Sequence, residues 1–386
     1  MRCSTRPSQV RGTGARRWLA AVAALCLACA LSVALASTAL AQVGPPPAPP
    51  PTPAPTPLPT PTKTQINSDV SMGSTVTDLG SNFLERLNNQ ATNGFWRSMR
   101  TNPSGGGASE AAEGPRYRTW SELYGLRMTT GPQADYFGDK RRTIGGVAGV
   151  GARVAPGVNV GFTVDQSRTT VDVPLALQGA TLDLTQFGFN ASVDKGPWTW
   201  AISLVHGAGG VDSSRNTGGG FGFANAHYGA KIDGALTELD YYWTKDQSRI
   251  VPKLGLEYVR ASTGAFQEFG GLDPVTVSGA TMERTRVLAG AEVGHYWILD
   301  HRQIVDISAY GKFVDNLSQQ FSSILVSLGP QSISVAGIGE SRYGVDAGAS
   351  GYLSISNTAR LYLNYDAKFR SNLTSHQGTL GFEIRF

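Results

Sequence analysis

Residues 379–386 read TLGFEIRF, and this stretch decides the fold. Every second side chain in it is apolar, namely Leu380, Phe382, Ile384 and Phe386. Strict alternation of this kind predicts a β-strand with one apolar and one polar face. The same period of two appears upstream, where residues 359–370 read ARLYLNYDAKFR and residues 304–314 read IVDISAYGKFV.

Twelve segments share this period, and we predict one strand in each. They cover residues 117–127, 142–154, 158–170, 181–193, 197–209, 229–244, 250–262, 284–298, 304–314, 342–355, 359–370 and 376–386. Their length of about ten residues suits a tilted strand that crosses a bilayer. An even number of antiparallel strands closes a sheet into a barrel without a free edge.

The side chains indicate which face of each strand meets lipid. Charged residues occupy the polar face of nearly every segment, and in a bilayer they must point toward the lumen. Aromatic residues near the predicted strand ends are typical of an interfacial girdle. They are Tyr117, Trp120, Trp198, Trp200, Tyr241, Trp243, Tyr296, Trp297, Tyr352 and Phe386. The sequence therefore predicts an all-β protein, a twelve-stranded antiparallel transmembrane barrel over residues 117–386.

The connections between the segments differ in length. Residues 211–227 and 264–279 predict long extracellular loops, whereas residues 155–157 and 299–303 predict short periplasmic turns. Within the fourth segment the apolar positions change phase between Leu184 and Phe187, which predicts a β-bulge or a late strand start.

A helix is predicted before the barrel, within residues 66–100. Apolar residues recur there at helical spacing, namely Val76, Leu79, Phe83, Leu84, Leu87 and Ala91. Ser74 and Asp78 are candidates to cap an early turn. The segment is too polar to span lipid, and the glycine-rich stretch 101–116 after it predicts a flexible joint.

The first 41 residues predict a cleaved secretory signal peptide. Five arginines precede an apolar run that ends in the A-x-A site Ala39-Leu40-Ala41. Residues 42–65 are then rich in proline and predict a semi-rigid spacer. Without the leader, 28 basic residues face 29 acidic ones, so the apparent basicity does not indicate a nucleic-acid partner.

No catalytic or cofactor motif is apparent. All three cysteines lie in the leader, which leaves no disulfide or thiolate metal site in the mature chain. Gly146, Gly149 and Gly151 lack the strand–turn–helix context of a nucleotide loop, and we expect them to allow tight bends or helix packing. The histidines are scattered. We predict no metal, no cofactor and no enzymatic activity.

The chain resembles the translocator domain of autotransporters, which use type V secretion. The resemblance is carried by residues 118–125 (RTWSELYG), the glycine-rich second segment and residues 381–386 (GFEIRF). It implies a monomeric twelve-stranded barrel in a Gram-negative outer membrane, in contact with its lipid, with an α-helix threading the lumen. It also implies barrel-assembly machinery and periplasmic chaperones as partners. The assembly signal would be Leu380, Phe382, Ile384 and Phe386.

The resemblance suggests two further points. Members of this family usually carry a large passenger before the helix, whereas here only residues 42–65 lie between leader and helix. Some members cut the helix between two asparagines, which makes Asn88-Asn89 a candidate site. That cleavage would need lumen acids, and the candidates are Glu238, Asp240 and Glu257.

The favoured function is a translocator that moves or anchors its N-terminal segment at the cell surface. The first alternative is a small outer-membrane channel of porin-like type. The second is a surface adhesin that acts through residues 211–227 and 264–279.

Overall fold

The computed structural model describes residues 61–96, 115–299 and 303–386. The predicted leader 1–41, nearly all of the proline-rich stretch 42–65 and most of the joint 101–116 lie outside these ranges. The described chain contains the helix α1 (Asn67–Thr92) and the 3₁₀ turns Lys63–Ile66, Gly94–Trp96 and Pro174–Ala176.

Its strands are β1 (Tyr117–Thr130), β2 (Asp139–Ala155), β3 (Val158–Val173), β4 (Gln178–Lys195), β5 (Trp198–Asn216), β6 (Phe223–Tyr241), β7 (Trp243–Lys245), β8 (Ser248–Thr263), β9 (Phe266–Gln267), β10 (Thr276–Val277), β11 (Ala280–Ile298), β12 (Ile304–Phe321), β13 (Ile324–Leu328), β14 (Gln331–Val335), β15 (Tyr343–Ser354), β16 (Ala359–Arg370) and β17 (Leu373–Arg385).

Twelve of these strands close into an antiparallel barrel. Consecutive long strands are neighbours, β8 pairs with β11, β12 pairs with β15, and β17 returns to pair with β1. The short β7 continues the line of β6 along β8. The predicted twelve-stranded barrel with a helix inside it is therefore confirmed.

The barrel has two different ends. We call the end with Tyr117 and Phe386 the closing end, where these residues exchange two backbone hydrogen bonds of 2.9 Å. We call the opposite end the loop end, because the long connections 264–279 and 322–342 lie there. The turns at the closing end are short, such as residues 156–157 between β2 and β3.

Side chains alternate between lumen and lipid as the sequence predicts. On β1, Glu122 is buried in the lumen while its neighbour Leu123 points outward and is 69% exposed. On β16, Leu363 points outward beside the buried Tyr362. Such exposed apolar side chains are stable only against lipid. In the described residues, no helix has the length and apolar character needed to cross a membrane.

The predicted loop 211–227 is wrong in extent. β5 runs to Asn216 and β6 begins at Phe223, so only residues 217–222 connect them. Outward residues in this extension, such as Asp212 and His227, are polar. The apolar alternation therefore disappears although the strands continue.

The loop end also carries a small sheet that the sequence did not reveal. The strands β9, β10, β13 and β14 pair in the order β14-β13-β10-β9 within connections predicted as loops or left unassigned. Val277 and Val326 are buried in it and belong to one apolar cluster with Ile66 at the start of the helix. The small sheet therefore packs against the start of the lumen helix, at the loop end of the barrel.

The predicted bulge in the fourth segment is absent. β4 pairs with β3 and β5 without a register shift. Leu182 and Leu184 face the lumen and are fully buried, whereas Phe187 faces lipid. The apolar phase changes because the apolar side of the helix fills the lumen here.

Two predicted girdle aromatics point into the lumen instead. Trp120 is only 3% exposed, and its ring lies against Gly149, where a Cβ would overlap it. Tyr352 stacks under the Arg360 guanidinium, 4.7 Å from its ring centroid. Gly149 thus makes room for the Trp120 ring, a side chain of β1.

Candidate functional site: the helix in the lumen

The apolar side of α1 packs against one wall of the barrel. Phe83, Leu84 and Leu87 are at most 2% exposed and share a buried cluster with Leu184 and Ile232. Other members of that cluster are Val76, Leu79, Val205, Leu236 and Val259. Burial of each such side chain stabilises the docked helix by about 1.5–3 kcal/mol.

Glycines let the helix approach the wall closely. A Cβ at Gly188 on β4 would overlap Leu87, and a Cβ at Gly80 on the helix would overlap Ile232. At Gly234 on β6 a Cβ would lie 2.9 Å from the Leu84 Cδ1 atom. Larger side chains at these positions would push the helix away from the wall.

The middle of the helix is held by charge. One Asp78 carboxylate oxygen lies 3.1 Å from Arg141 Nη1, and the other lies 2.9 Å from Arg284 Nη1. Arg141 Nη2 also donates to Ser74 Oγ at 2.6 Å. Ser74 and Asp78 lie inside α1, which begins at Asn67, so their predicted capping role is wrong.

A loop residue joins this charged cluster. Glu340, in the connection between β14 and β15, contacts Arg284 at 2.5 Å and Arg370 at 2.9 Å. Burial alone would raise the pKa of Glu340, but these two arginines hold it well below its usual range. The loop end is thereby tied to the same arginine that holds the helix.

A second set of polar contacts lies about two turns further along α1. Arg86 Nε lies 3.2 Å from Glu122, and its guanidinium carbon stands 4.0 Å above the Tyr124 ring. Glu85 contacts Arg286 at 2.6 Å and Lys368 at 2.8 Å. Both are contacts between the helix and the wall.

The wall also binds the free carbonyls of the last helical turn. Arg118 Nη2 donates to the Gln90 carbonyl at 2.5 Å, Ser192 to Ala91 at 3.0 Å and Tyr242 to Thr92 at 3.0 Å. Asn190 also donates to the Leu87 carbonyl, which lies about one turn earlier in the helix, at 2.7 Å. A helix C-terminus leaves its last four carbonyls without intrahelical partners, and a cation there complements the helix dipole.

These contacts fix the direction of the helix. Arg118 belongs to the closing end, so α1 ends there. Its start lies at the loop end, where the Ser68 backbone N–H donates to Gln178 at 2.9 Å. Just before the helix, Lys63 contacts Asp135 in the β1–β2 connection at 2.8 Å.

The helix does not fill the lumen completely. A polar cleft remains between α1 and the wall formed by β12, β15, β16 and β17. Residues that line it are Asn82, Asn89, Tyr310, Asn364, Asp366 and Gln377. The Lys368–Glu85 contact crosses from this wall to the helix.

The model of the autotransporter β-domain matches residues 119–366, more than half of the chain. This chain belongs to the autotransporter β-domain family. The barrel is therefore an outer-membrane translocator of a Gram-negative cell, with its apolar exterior in contact with lipid.

Two solved autotransporter structures share the fold. The translocator domain of NalP from Neisseria meningitidis is 15% identical, with a TM-score of 0.64, over 83% of this chain and 99% of that one. The β domain of the Bordetella autotransporter BrkA is also 15% identical, with a TM-score of 0.53, over 70% of this chain and 100% of that one. No curated protein matches the sequence.

The asparagine pair of this autotransporter helix lies near the closing end. Asn88 is buried, and its Nδ2 donates to Glu238 Oε1 at 2.7 Å. Asn89 is exposed to the cleft. Of the three candidate acids, Glu238 contacts the pair, whereas Asp240 contacts Lys253 and Glu257 contacts Ser81. Cleavage at this pair stays a prediction.

The residues assigned to the assembly signal all face outward, three of them on β17 and Phe386 directly after it. Leu380 is 57% exposed and Phe386 is 50% exposed, while Phe382 and Ile384 are half-buried. The Phe386 ring lies 5.9 Å from the ring of Tyr117 on β1. The four side chains thus form an apolar edge at the seam where the autotransporter barrel closes.

Proposed function

We propose that the barrel uses α1 to anchor the preceding segment at the cell surface, with residues 42–65 emerging at the loop end. The direction of the helix carries this proposal, because Lys63 contacts a loop-end connection and Arg118 holds the helix at the closing end. Outer-membrane barrels have short periplasmic turns and long extracellular loops, which assigns the loop end to the exterior.

A short epitope tag inserted at residue 50 tests this proposal. Antibody is expected to reach the tag on intact cells or in the medium. The same tag inserted at Gly196, in the β4–β5 turn, serves as the control and should react only after permeabilisation. A tag at residue 50 that reacts only after permeabilisation contradicts the proposal.

We propose cleavage between Asn88 and Asn89 as a second event at the same helix, supported by the contact of Asn88 with Glu238. The tag at residue 50 would then separate from the barrel on a denaturing gel. Glu238→Gln should keep the tag attached, since it removes the carboxylate that would assist the reaction. A tag that stays with the unmodified barrel excludes cleavage.

We also propose that the barrel-assembly machinery and periplasmic chaperones act on this chain, with Phe386 as part of the signal. Phe386 is half exposed, so Phe386→Ser should change the stability of the purified barrel little. Assembly in cells should nevertheless fall strongly, as measured by the heat-modifiable band. Tyr117→Ser removes the same ring contact outside the signal and is expected to assemble normally. Equal loss in both variants would contradict the assignment.

A channel function is the alternative that a specific observation favours, since a polar cleft runs beside the helix. The helix–wall contacts favour a closed translocator, because they hold α1 in the lumen. We propose no catalytic role, in keeping with the family, whose barrels act as translocators.

A further inference from the structure

Charged and polar side chains also occur on the outside of the barrel, on the loop-end side of the apolar band. Across β5, β6, β8 and β11, four polar side chains stand opposite one another in register: His206, Asp233, Arg260 and Glu283. Each of the two acidic side chains in this row has a histidine or arginine partner. His206 lies 2.7 Å from Asp233, and Arg260 lies 3.4 Å from Glu283. The four side chains of this row therefore have partners within the row itself.

The outer wall of β1 and β2 is different. Arg127 and Arg142 are direct cross-strand partners, and both point outward and are exposed. On the far sides of this row, His376 is the partner of Arg127 and Thr170 is the partner of Arg142. No acidic side chain lies in the row. Like charges directly opposite each other destabilise a sheet unless an anion lies between them.

The surroundings make this patch more basic. Lys140 lies two residues before Arg142 on the same outward face. Asp172 on β3 is the register partner of Lys140. Arg168 on β3 already contacts Asp183 at 3.4 Å. Three cations thus stand against the single carboxylate of Asp172.

The patch lies at the edge of the lipid-facing surface. Ile144, the next outward residue from Arg142 toward the closing end, is 77% exposed, and on β1 Leu123 is 69% exposed. Two residues along a strand span about 7 Å. Arg142 therefore stands one such step from Ile144, whereas Arg127 stands two steps from Leu123, with Gly125 between them. Both guanidinium groups thus border the lipid-facing surface, near the depth of the lipid headgroups.

We propose that Arg127, Arg142 and Lys140 bind the phosphate groups of a phosphorylated lipid in the adjoining leaflet. Two opposed guanidinium groups can each donate paired hydrogen bonds to one phosphate, which turns their repulsion into attraction. The acyl chains of the same lipid would lie against Ile144 and Leu123. This inference goes beyond the translocator function and does not require a passenger.

The test uses the full barrel in zwitterionic detergent micelles doped with lipid A that carries both phosphates. Binding is measured by native mass spectrometry. The double variant Arg127→Gln, Arg142→Gln is expected to bind this lipid about tenfold more weakly. The double variant Arg168→Gln, Arg260→Gln, whose arginines are already paired with acids, should bind like the unmodified protein.

Other probes separate the possible outcomes. Lipid A without phosphates should bind the unmodified barrel about tenfold more weakly, and inorganic phosphate should not displace the lipid at equal concentration. Without added lipid, the Arg127→Gln, Arg142→Gln barrel should be at least as heat-stable as the original, because it loses a repulsion. Equal binding of both lipids, equal loss in both double variants or displacement by inorganic phosphate would overturn the proposal.

Discussion

Deletion of residues 63–93 is expected to raise the single-channel conductance of the barrel in planar bilayers several-fold. In the intact protein, α1 packs against β4, β5 and β6, and a polar cleft remains on the side of β12, β15, β16 and β17. Loss of the helix would join the cleft to the vacated space. The lumen charges that now contact Asp78 and Glu85 would then line a water-filled pore.

The matched control deletes residues 44–60 and keeps the helix. Its conductance should equal that of the intact protein. A heat-modifiable band on a gel verifies that each deletion variant is folded. An intact protein that conducts as well as the 63–93 deletion would contradict a lumen closed by α1 and would favour the channel function.

The replacement Asp78→Ala is expected to destabilise the barrel by about 3 kcal/mol, because it removes the carboxylate that two buried arginines share. Arg141 and Arg284 are at most 2% exposed. Their other acidic partners, Asp139, Glu340 and the more distant Glu257, would then have to balance the charge. Urea unfolding in detergent micelles, followed by tryptophan fluorescence, measures this loss.

Two further variants show whether charge is the cause. Asp78→Asn keeps the shape and should lose most of the same free energy. Lys63→Ala removes the exposed contact with Asp135 and should cost less than about 1 kcal/mol. A small loss in Asp78→Asn, or a loss in Lys63→Ala as large as in Asp78→Ala, would contradict the role assigned to the buried cluster.

The barrel strands could be predicted where lipid touches the wall. Outward side chains such as Leu363 and Phe313 must be apolar there, so the alternation is visible in the sequence. Beyond the lipid, outward positions such as Asp212 are polar, and the same strands lose their pattern. Leu182 and Leu184 reverse the expected phase because the helix, rather than water, fills that part of the lumen.

The lumen site could be predicted only in outline. The sequence places charges on the inner face and an apolar stripe on the helix. It does not show that Asp78 pairs with Arg284, 206 positions away. That pairing depends on how deep the helix lies and how it is rotated, which the glycines near Leu84 and Leu87 decide. The position of Arg118 in the stretch RTWSELYG gives no sign that its side chain binds the helix C-terminus.

The most direct test of the account is cysteine labelling at the two ends of the barrel. After cleavage of the predicted leader the chain has no cysteine, so single replacements can be compared cleanly. Lys63→Cys lies at the loop end before the helix, and Lys195→Cys lies at the closing end before the β4–β5 turn. A membrane-impermeant maleimide on intact cells should label Lys63→Cys and reach Lys195→Cys only after permeabilisation. The reverse pattern would contradict a helix that leads to the cell surface.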